Sequence, residues 1–289
     1  MLCSFAMAGS IQIGAFECVP LSDGTFYLDG GAMFGVVPKV FWNKLNPADE
    51  QNRIHLGLHP LLIKHSEKRI LIDTGIGDKF DEKFGAIYGI DKSETIEESL
   101  GRSGLKPEDI DMVIITHLHF DHAGGNTRRD AQGNVVPKFP NATYILQKKE
   151  WEVGLTPNTR SKASYLKENY VPLEEYGLLK LIDGDQTVFP GITCIYTGGH
   201  SEGHQMVAIE DGGDGALYWA DIMPTTSHVR IPYIMGYDLF PLDVIKYKEK
   251  FIELSVQKGW ISFFEHDPKY THGRISLENG KPTFIPEEA

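Results

Sequence analysis

Apolar residues in this chain fall into short runs of strand length, not long continuous stretches. Residues 11–19, 61–64, 69–73, 112–116, 142–146, 192–197, 205–209, 216–220 and 260–264 are β-branched or aromatic-rich and bounded by turn-forming residues. Two segments between them read as helices. Residues 94–102 are polar-rich, with Ser93 as the N-cap and a stop near Gly104 and Pro107. In 243–258 the apolar positions Val244, Tyr247, Phe251 and Leu254 recur at helical spacing, and Gly259 supplies the stop. Asn279-Gly280, between two strand-like runs, predicts a type I′ hairpin. Strands and helices mixed throughout argue for a layered α/β or α+β fold, with two sheets faced by helices on their outer sides fitting the number of runs. No low-complexity linker divides the chain, so a single domain spanning 1–289 is expected, with residues 1–10 disordered.

Charge narrows the partners. The 289 residues carry 40 acidic and 28 basic side chains, a formal net charge of −12, spread along the sequence without a basic block. Such a surface repels phosphate backbones, which argues against nucleic acid as a partner. Nothing approaches eighteen consecutive apolar residues, so no membrane span is expected. Cys3, Cys18 and Cys194 are few, odd in number and widely spaced, as free thiols in a reducing compartment would be. The start, MLCSFAMAGS, lacks the basic residues and sustained apolar core of an export signal. A soluble cytoplasmic protein is the expectation.

The candidate chemistry lies at strand ends. The stretch THLHFDH, residues 116–122, follows the apolar Met112-Val113-Ile114-Ile115 and holds three of the eleven histidines plus a carboxylate. Residues two apart on a strand point the same way, so His117 and His119 would project together. Asp121 and His122 come after the chain turns, and Ala123-Gly124-Gly125 lets backbone pack closely there. Imidazole and carboxylate at this density are ligands for a borderline metal: zinc, with iron, manganese or cobalt accepted by the same donors. A chance cluster of surface or capping histidines is the bland alternative. More donors follow other apolar runs, at His200, Asp221 and His266.

With these motifs assembled, the chain resembles the metallo-β-lactamase superfamily. The similarity runs from Leu71-Ile72-Asp73-Thr74-Gly75 through THLHFDH, GGHSEGH and ADIMPT to FEHD. The resemblance implies an α+β fold, a four-layer αβ/βα sandwich, with a dinuclear metal site at the sheet edges. It further implies that His117, His119 and His200 hold one divalent ion, that Asp121, His122 and His266 hold the other, and that Asp221 bridges them. Asp73 would support the metal loop by hydrogen bonding. His204, within H-S-x-G-H, would be structural.

Within the superfamily the chain is most similar to quorum-quenching lactonases, in 29–39, in GGHSEGH and in ADIMPT. That similarity implies opening of N-acyl homoserine lactones by a hydroxide shared between the metals, with Asp121 as the proton shuttle. It also implies a homodimer and a small-molecule lactone or ester as the partner. Phosphotriester and aryl-ester hydrolysis, glyoxalase-type thioester hydrolysis and a non-catalytic metal-binding module are the alternatives. One departure matters: Pro224 stands three residues after Asp221, where those lactonases carry a carbonyl-binding tyrosine. His228 and Tyr237 are the candidate substitutes, each with an ordinary structural alternative. Met33 and Phe34 either wall an acyl-chain pocket or pack in a core or dimer interface.

Overall fold

The computed structural model describes residues 9–287. The expected N-terminal disorder falls largely on residues 1–8, which with Cys3 lie outside the described residues. One seven-stranded sheet orders Ile11–Ile13, Phe16–Pro20, Leu61–Lys64, Arg69–Ile72, Met112–Ile114, Thr143–Gln147 and Leu179–Ile182. A second orders Gln186–Phe189, Ile192–Tyr196, Gln205–Asp211, Asp214–Tyr218, Ile261–Phe263, His272–Glu278 and Lys281–Pro286.

The sheets pack face to face through a core that takes Ile63, Ile70, Ile72 and Ile114 from the first and Ile192, Val207, Ile209 and Phe263 from the second. Alternate residues face outward. Leu62, Leu71, Val113 and Tyr144 pack under the helices Ile96–Arg102 and Lys148–Leu155 through Ile96, Leu100, Trp151 and Val153. Met206, Ala208 and Leu217 of the second sheet pack under Val244, Phe251 and Ile252 of the helix Pro241–Lys258. The result is the four-layer α+β sandwich that the resemblance implies. It also explains why the central strands are apolar throughout: both faces of each are buried, and every aliphatic side chain so removed from water is worth roughly 1.5–3 kcal/mol.

Strand direction places the functional edge. Arg69–Ile72, Met112–Ile114 and Thr143–Gln147 run parallel, as do Asp214–Tyr218 and Ile261–Phe263. Ile192–Tyr196 is antiparallel to Gln205–Asp211, which is antiparallel to Asp214–Tyr218, so it shares their direction. Parallel neighbours need crossovers, and their C-terminal ends gather on one side, where open sheets of this kind present ligand sites.

Local readings needed adjustment in three places. Residues 11–19 form two antiparallel strands, not one, because Gly14 at φ 53° turns the chain. The helix Ile96–Arg102 is capped by Thr95 rather than Ser93: the Thr95 hydroxyl receives the Glu98 N–H while the Glu98 carboxylate receives the Thr95 N–H. The last long helix starts at Pro241, a residue suited to the first helical turn. Asn279 and Gly280 at φ 51° and 73° close the hairpin that the Asn-Gly pair predicts. The hairpin Thr25–Asp29 with Arg53–Gly57 and the short helices Gly30–Phe34 and Lys39–Trp42 carry no comparable sequence signal.

The glycines after THLHFDH meet backbone directly. A Cβ on Gly124 would lie 2.1 Å from the Ile76 carbonyl oxygen, and one on Gly125 2.1 Å from that of Thr74. Gly125→Ala is therefore expected to force the 74–77 turn away from the 122–126 loop, lowering stability by about 1–3 kcal/mol. Thermal unfolding of the purified variant checks this, and an unchanged midpoint would show that the turn relaxes freely.

Candidate metal centre

Five histidines and two aspartates meet at the shared edge of the sheets, all of them buried except the partly exposed His119. His117, His119 and His200, with Asp221, form one group whose donor atoms lie within 4.8 Å of one another; Asp121, His122 and His266 form another. The two groups are drawn from loops after four strands, so residues 149 positions apart in sequence, His117 and His266, share one site.

Hydrogen bonds outside the centre decide which nitrogen each ring presents to it. Asp73, held at φ 55°, accepts the Thr116 N–H at 2.8 Å and the Thr116 hydroxyl at 2.7 Å. With its proton given to Asp73, the Thr116 oxygen accepts from His117 Nδ1 at 3.1 Å, leaving His117 Nε2 bare. Asp73 Oδ2, which takes the Thr116 hydroxyl, also accepts from His122 Nδ1 at 2.9 Å. His200 Nδ1 donates to Asp238 Oδ1 at 2.9 Å, and His266 Nδ1 to the Gly57 carbonyl at 2.9 Å. Carboxylates and carbonyls only accept, so each of these Nδ1 atoms carries the proton and each Nε2 turns a lone pair inward. His119 is turned the other way, with Nδ1 inward.

The inward atoms crowd together. His119 Nδ1 lies 3.1 Å from His117 Nε2 and 3.0 Å from His200 Nε2, and His122 Nε2 lies 3.0 Å from His266 Nε2. In the last pair both Nδ1 protons are committed outward, so two bare lone pairs face each other. Asp221 Oδ1 is buried without a hydrogen-bond partner among the described residues. Lone pairs and a carboxylate converging without protons between them are reconciled by a cation, and imidazole with carboxylate is a donor set for zinc and its neighbours.

Electrostatics point the same way. Burial, reinforced by the neighbouring histidines, holds His117 and His119 well below the ordinary imidazole range. Burial also opposes charge on His122, His200 and His266, yet Asp221 and the other carboxylates carry all three upward, His122 the furthest. Burial works against the Asp221 charge too, but His200 and His122 hold its carboxyl well below the usual range. The carboxylates thus demand positive charge at this point in the interior.

His204 stands outside both groups. Its Nδ1 meets the Thr197 hydroxyl at 2.7 Å and its Nε2 accepts the Asp221 N–H at 3.2 Å, bracing the backbone of Asp221. Asp238 has no motif around it in the sequence; only the fold brings it to His200. Glu265, inside the FEHD stretch, is buried beside His266 with neither carboxyl oxygen hydrogen-bonded among the described residues, and burial pushes it up to about 8.

The expected substrate contacts divide. Met33 is 1% and Phe34 0% exposed, and the Phe34 ring stacks between Trp42 at 5.3 Å and His228 at 4.7 Å. Both belong to one buried cluster with Trp42, Ile54 and Met235. His228 is buried with both ring nitrogens engaged, by the Thr225 hydroxyl at 2.7 Å and the Met33 carbonyl at 2.8 Å, and burial drives it down to about 3. It has no free donor for a substrate carbonyl. Tyr237 is 37% exposed, and burial pushes its phenol up, with Tyr88, Asp29 and Asp121 adding their influence. Pro224 contributes its carbonyl, which accepts the His266 N–H at 2.9 Å.

A profile of the metallo-beta-lactamase superfamily matches residues 59–266, a span that contains every donor of both groups. An N-acyl homoserine lactonase of Bacillus cereus is 32% identical over 236 residues, which cover 77% of this chain and 86% of that protein. The crystal structure of a probable metal-dependent hydrolase from Staphylococcus aureus matches with a TM-score of 0.87 at 36% identity, covering 96% of this chain and 99% of that one. An N-acyl homoserine lactone hydrolase, with the product N-hexanoyl-L-homoserine bound at its catalytic metal centre, matches with a TM-score of 0.67 at 26% identity over 89% of this chain and 95% of its own. Matched along its length and in its fold, the chain belongs to the metallo-beta-lactamase superfamily and is a hydrolase of that family.

Proposed function

We propose that this chain is a lactonase that opens the ring of N-acyl homoserine lactones on a pair of divalent metal ions. The observation that carries this reading is the division of Asp221 between the two donor groups. Its Oδ2 lies 3.1 Å from His200 Nε2 and 3.8 Å from His117 Nε2, while its Oδ1 lies 3.4 Å from His266 Nε2 and 3.5 Å from His122 Nε2. A carboxylate with one oxygen toward each group is suited to bridge two ions. His117, His119 and His200 would hold one, and Asp121, His122 and His266 the other; zinc suits the donors, and iron, manganese or cobalt would also be accepted. Bound ions of this kind supply a hydroxide near neutral pH and polarise a carbonyl oxygen.

The chain's own residues do the rest. Asp121 Oδ2 sits 3.7 Å from His266 Nε2 and 3.9 Å from His122 Nε2, at the rim of the centre, and would take the proton of the attacking hydroxide and pass it to the ring oxygen as it leaves. Tyr237 offers a phenol O–H to the substrate carbonyl, the role that Pro224 cannot fill. The acyl chain enters a cavity of about 340 Å³ beside Phe120, the residue between His119 and Asp121. Most of its polar lining besides Asn169 is already engaged: Lys79 Nζ donates to the Gly124 and Thr127 carbonyls, Arg129 pairs with Glu168 at 2.9 Å, and Asp81 caps the Phe84 N–H at 2.7 Å. Ile76, Phe80, Phe84, Phe120 and Leu166 are left as an apolar lining suited to a hydrocarbon chain.

Hydrolysis of a long-chain N-acyl homoserine lactone by protein of assayed metal content tests the reading. Two ions per chain and turnover abolished by a chelator are expected. Two ions without lactone turnover would discard this substrate and leave aryl esters and phosphotriesters of the same chemistry. Asp121→Asn and Tyr237→Phe are expected to keep their metal while kcat/KM falls, by about 10²- to 10⁴-fold for the first and about 10²-fold for the second. Unchanged turnover in either fully loaded variant removes that residue from the mechanism. Phe84→Ser should lower kcat/KM for long-chain lactones by about tenfold, equivalent to roughly two buried methylenes, and spare short-chain ones. An equal loss at all chain lengths would place the acyl chain elsewhere.

A further inference from the structure

We infer that Glu150 is the positioning residue for one of the two metal sites, that of His117, His119 and His200, and acts on it from outside. This rests on the two-ion reading above. Glu150 lies in the helix Lys148–Leu155 and is 0% exposed. One oxygen, Oε1, accepts the Leu118 N–H at 3.0 Å and the Tyr165 hydroxyl at 2.9 Å. The other, Oε2, accepts the Ser201 hydroxyl at 2.7 Å and the Gly203 N–H at 3.1 Å. Four donors fill the acceptor capacity of one carboxylate.

Each of those donors belongs to the same metal site. Leu118 lies between His117 and His119, and Ser201 follows His200 directly. Tyr165 sets its ring edge against His119 at 5.0 Å between centroids. Gly203 can approach because it has no Cβ, which would lie 2.2 Å from the Glu150 nitrogen. The buried carboxylate therefore ties the loop after a strand of the first sheet to the loop after a strand of the second, fixing the distance between the histidines they carry. No donor comes from Asp121, His122 or His266, and the His122 and His266 rings are oriented by Asp73 and the Gly57 carbonyl.

Glutamine at this position is nearly isosteric but cannot satisfy the arrangement. Each carboxylate oxygen receives one backbone N–H, so whichever way the amide is turned, its NH2 faces a peptide N–H that cannot rotate away. The expected consequence is selective. In Glu150→Gln one of two ions per chain is held about 10- to 100-fold more weakly, the range for loss of a group that orients metal ligands, and the other is held as in the wild type.

The test is zinc release from metal-loaded protein to a chelating dye, followed in wild type, Glu150→Gln, Ser201→Ala and His200→Ala. The last identifies which release phase belongs to the His117, His119 and His200 site. The inference expects Glu150→Gln to accelerate that phase alone and Ser201→Ala to accelerate it to a smaller degree. Equal acceleration of both phases, as general loosening would give, overturns it, and so does no change in either. Should Glu150→Gln not fold, an unmoved phase in Ser201→Ala overturns it by itself. A wild-type chain that loads with a single ion overturns the two-ion reading, and the selectivity argued here falls with it. Two ions in the wild type with unselective variants overturn the role of Glu150 alone.

Discussion

The centre of this molecule is organised around a buried carboxylate. Asp221 is almost wholly removed from water, and an ionised carboxyl in that position carries a desolvation cost of several kcal/mol unless positive charge or hydrogen-bond donors surround it. The protein places histidine nitrogens against both of its oxygens. It then commits the far nitrogen of His117, His122, His200 and His266 to an acceptor outside the centre. Lone pairs and negative charge are consequently aimed at one small volume, and His122, His200 and His266 are pulled toward protonation to compensate. A cation relieves both demands at once, which is why the geometry reads as a ligand set rather than as an ordinary polar core.

The scaffold follows from that requirement. Loops are intrinsically mobile, so donors borne on them stay within a few tenths of an ångström only if other groups brace them. The braces come from places remote in sequence: Asp73 for the His117 and His122 rings, Asp238 for His200, the Gly57 carbonyl for His266, His204 for the Asp221 backbone. Both sheets contribute, and the parallel strands within them deliver the loops to a common edge. Burial of the aliphatic faces between and outside the sheets holds the edge rigid, so the fold and the site share one source of stability.

The substrate side illustrates how residue type underdetermines role. Met33 and Phe34 have the chemistry of an acyl-chain pocket, but they are packed against Trp42 and His228, and His228 is spent holding the Met33 carbonyl. A cavity lined by Phe80, Phe84 and Phe120, with Lys79, Arg129 and Glu168 among its polar residues, lies apart from them. Phe120 was within the metal motif all along; what the motif does not reveal is that its ring meets the edge of Phe84 at 5.0 Å and faces that cavity.

By itself the sequence determined the strand runs, the long C-terminal helix, the Asn-Gly hairpin and the identity of the donors. All of these rest on local physics: runs apolar on both faces, side-chain periodicity, left-handed turn residues, and the affinity of imidazole and carboxylate for metals. The family resemblance added the expected partition of the donors between two ions. Only the tertiary structure decided which nitrogen each histidine turns inward, that Thr95 caps its helix, that Phe34 is core, and that Asp238 and Glu150 lie against the centre. None of these has a local signature. An Asp before a helix or a Glu within one looks like any solvated carboxylate until the chain packs, because burial and the choice of partner are properties of the assembled surfaces and not of the residues that carry them.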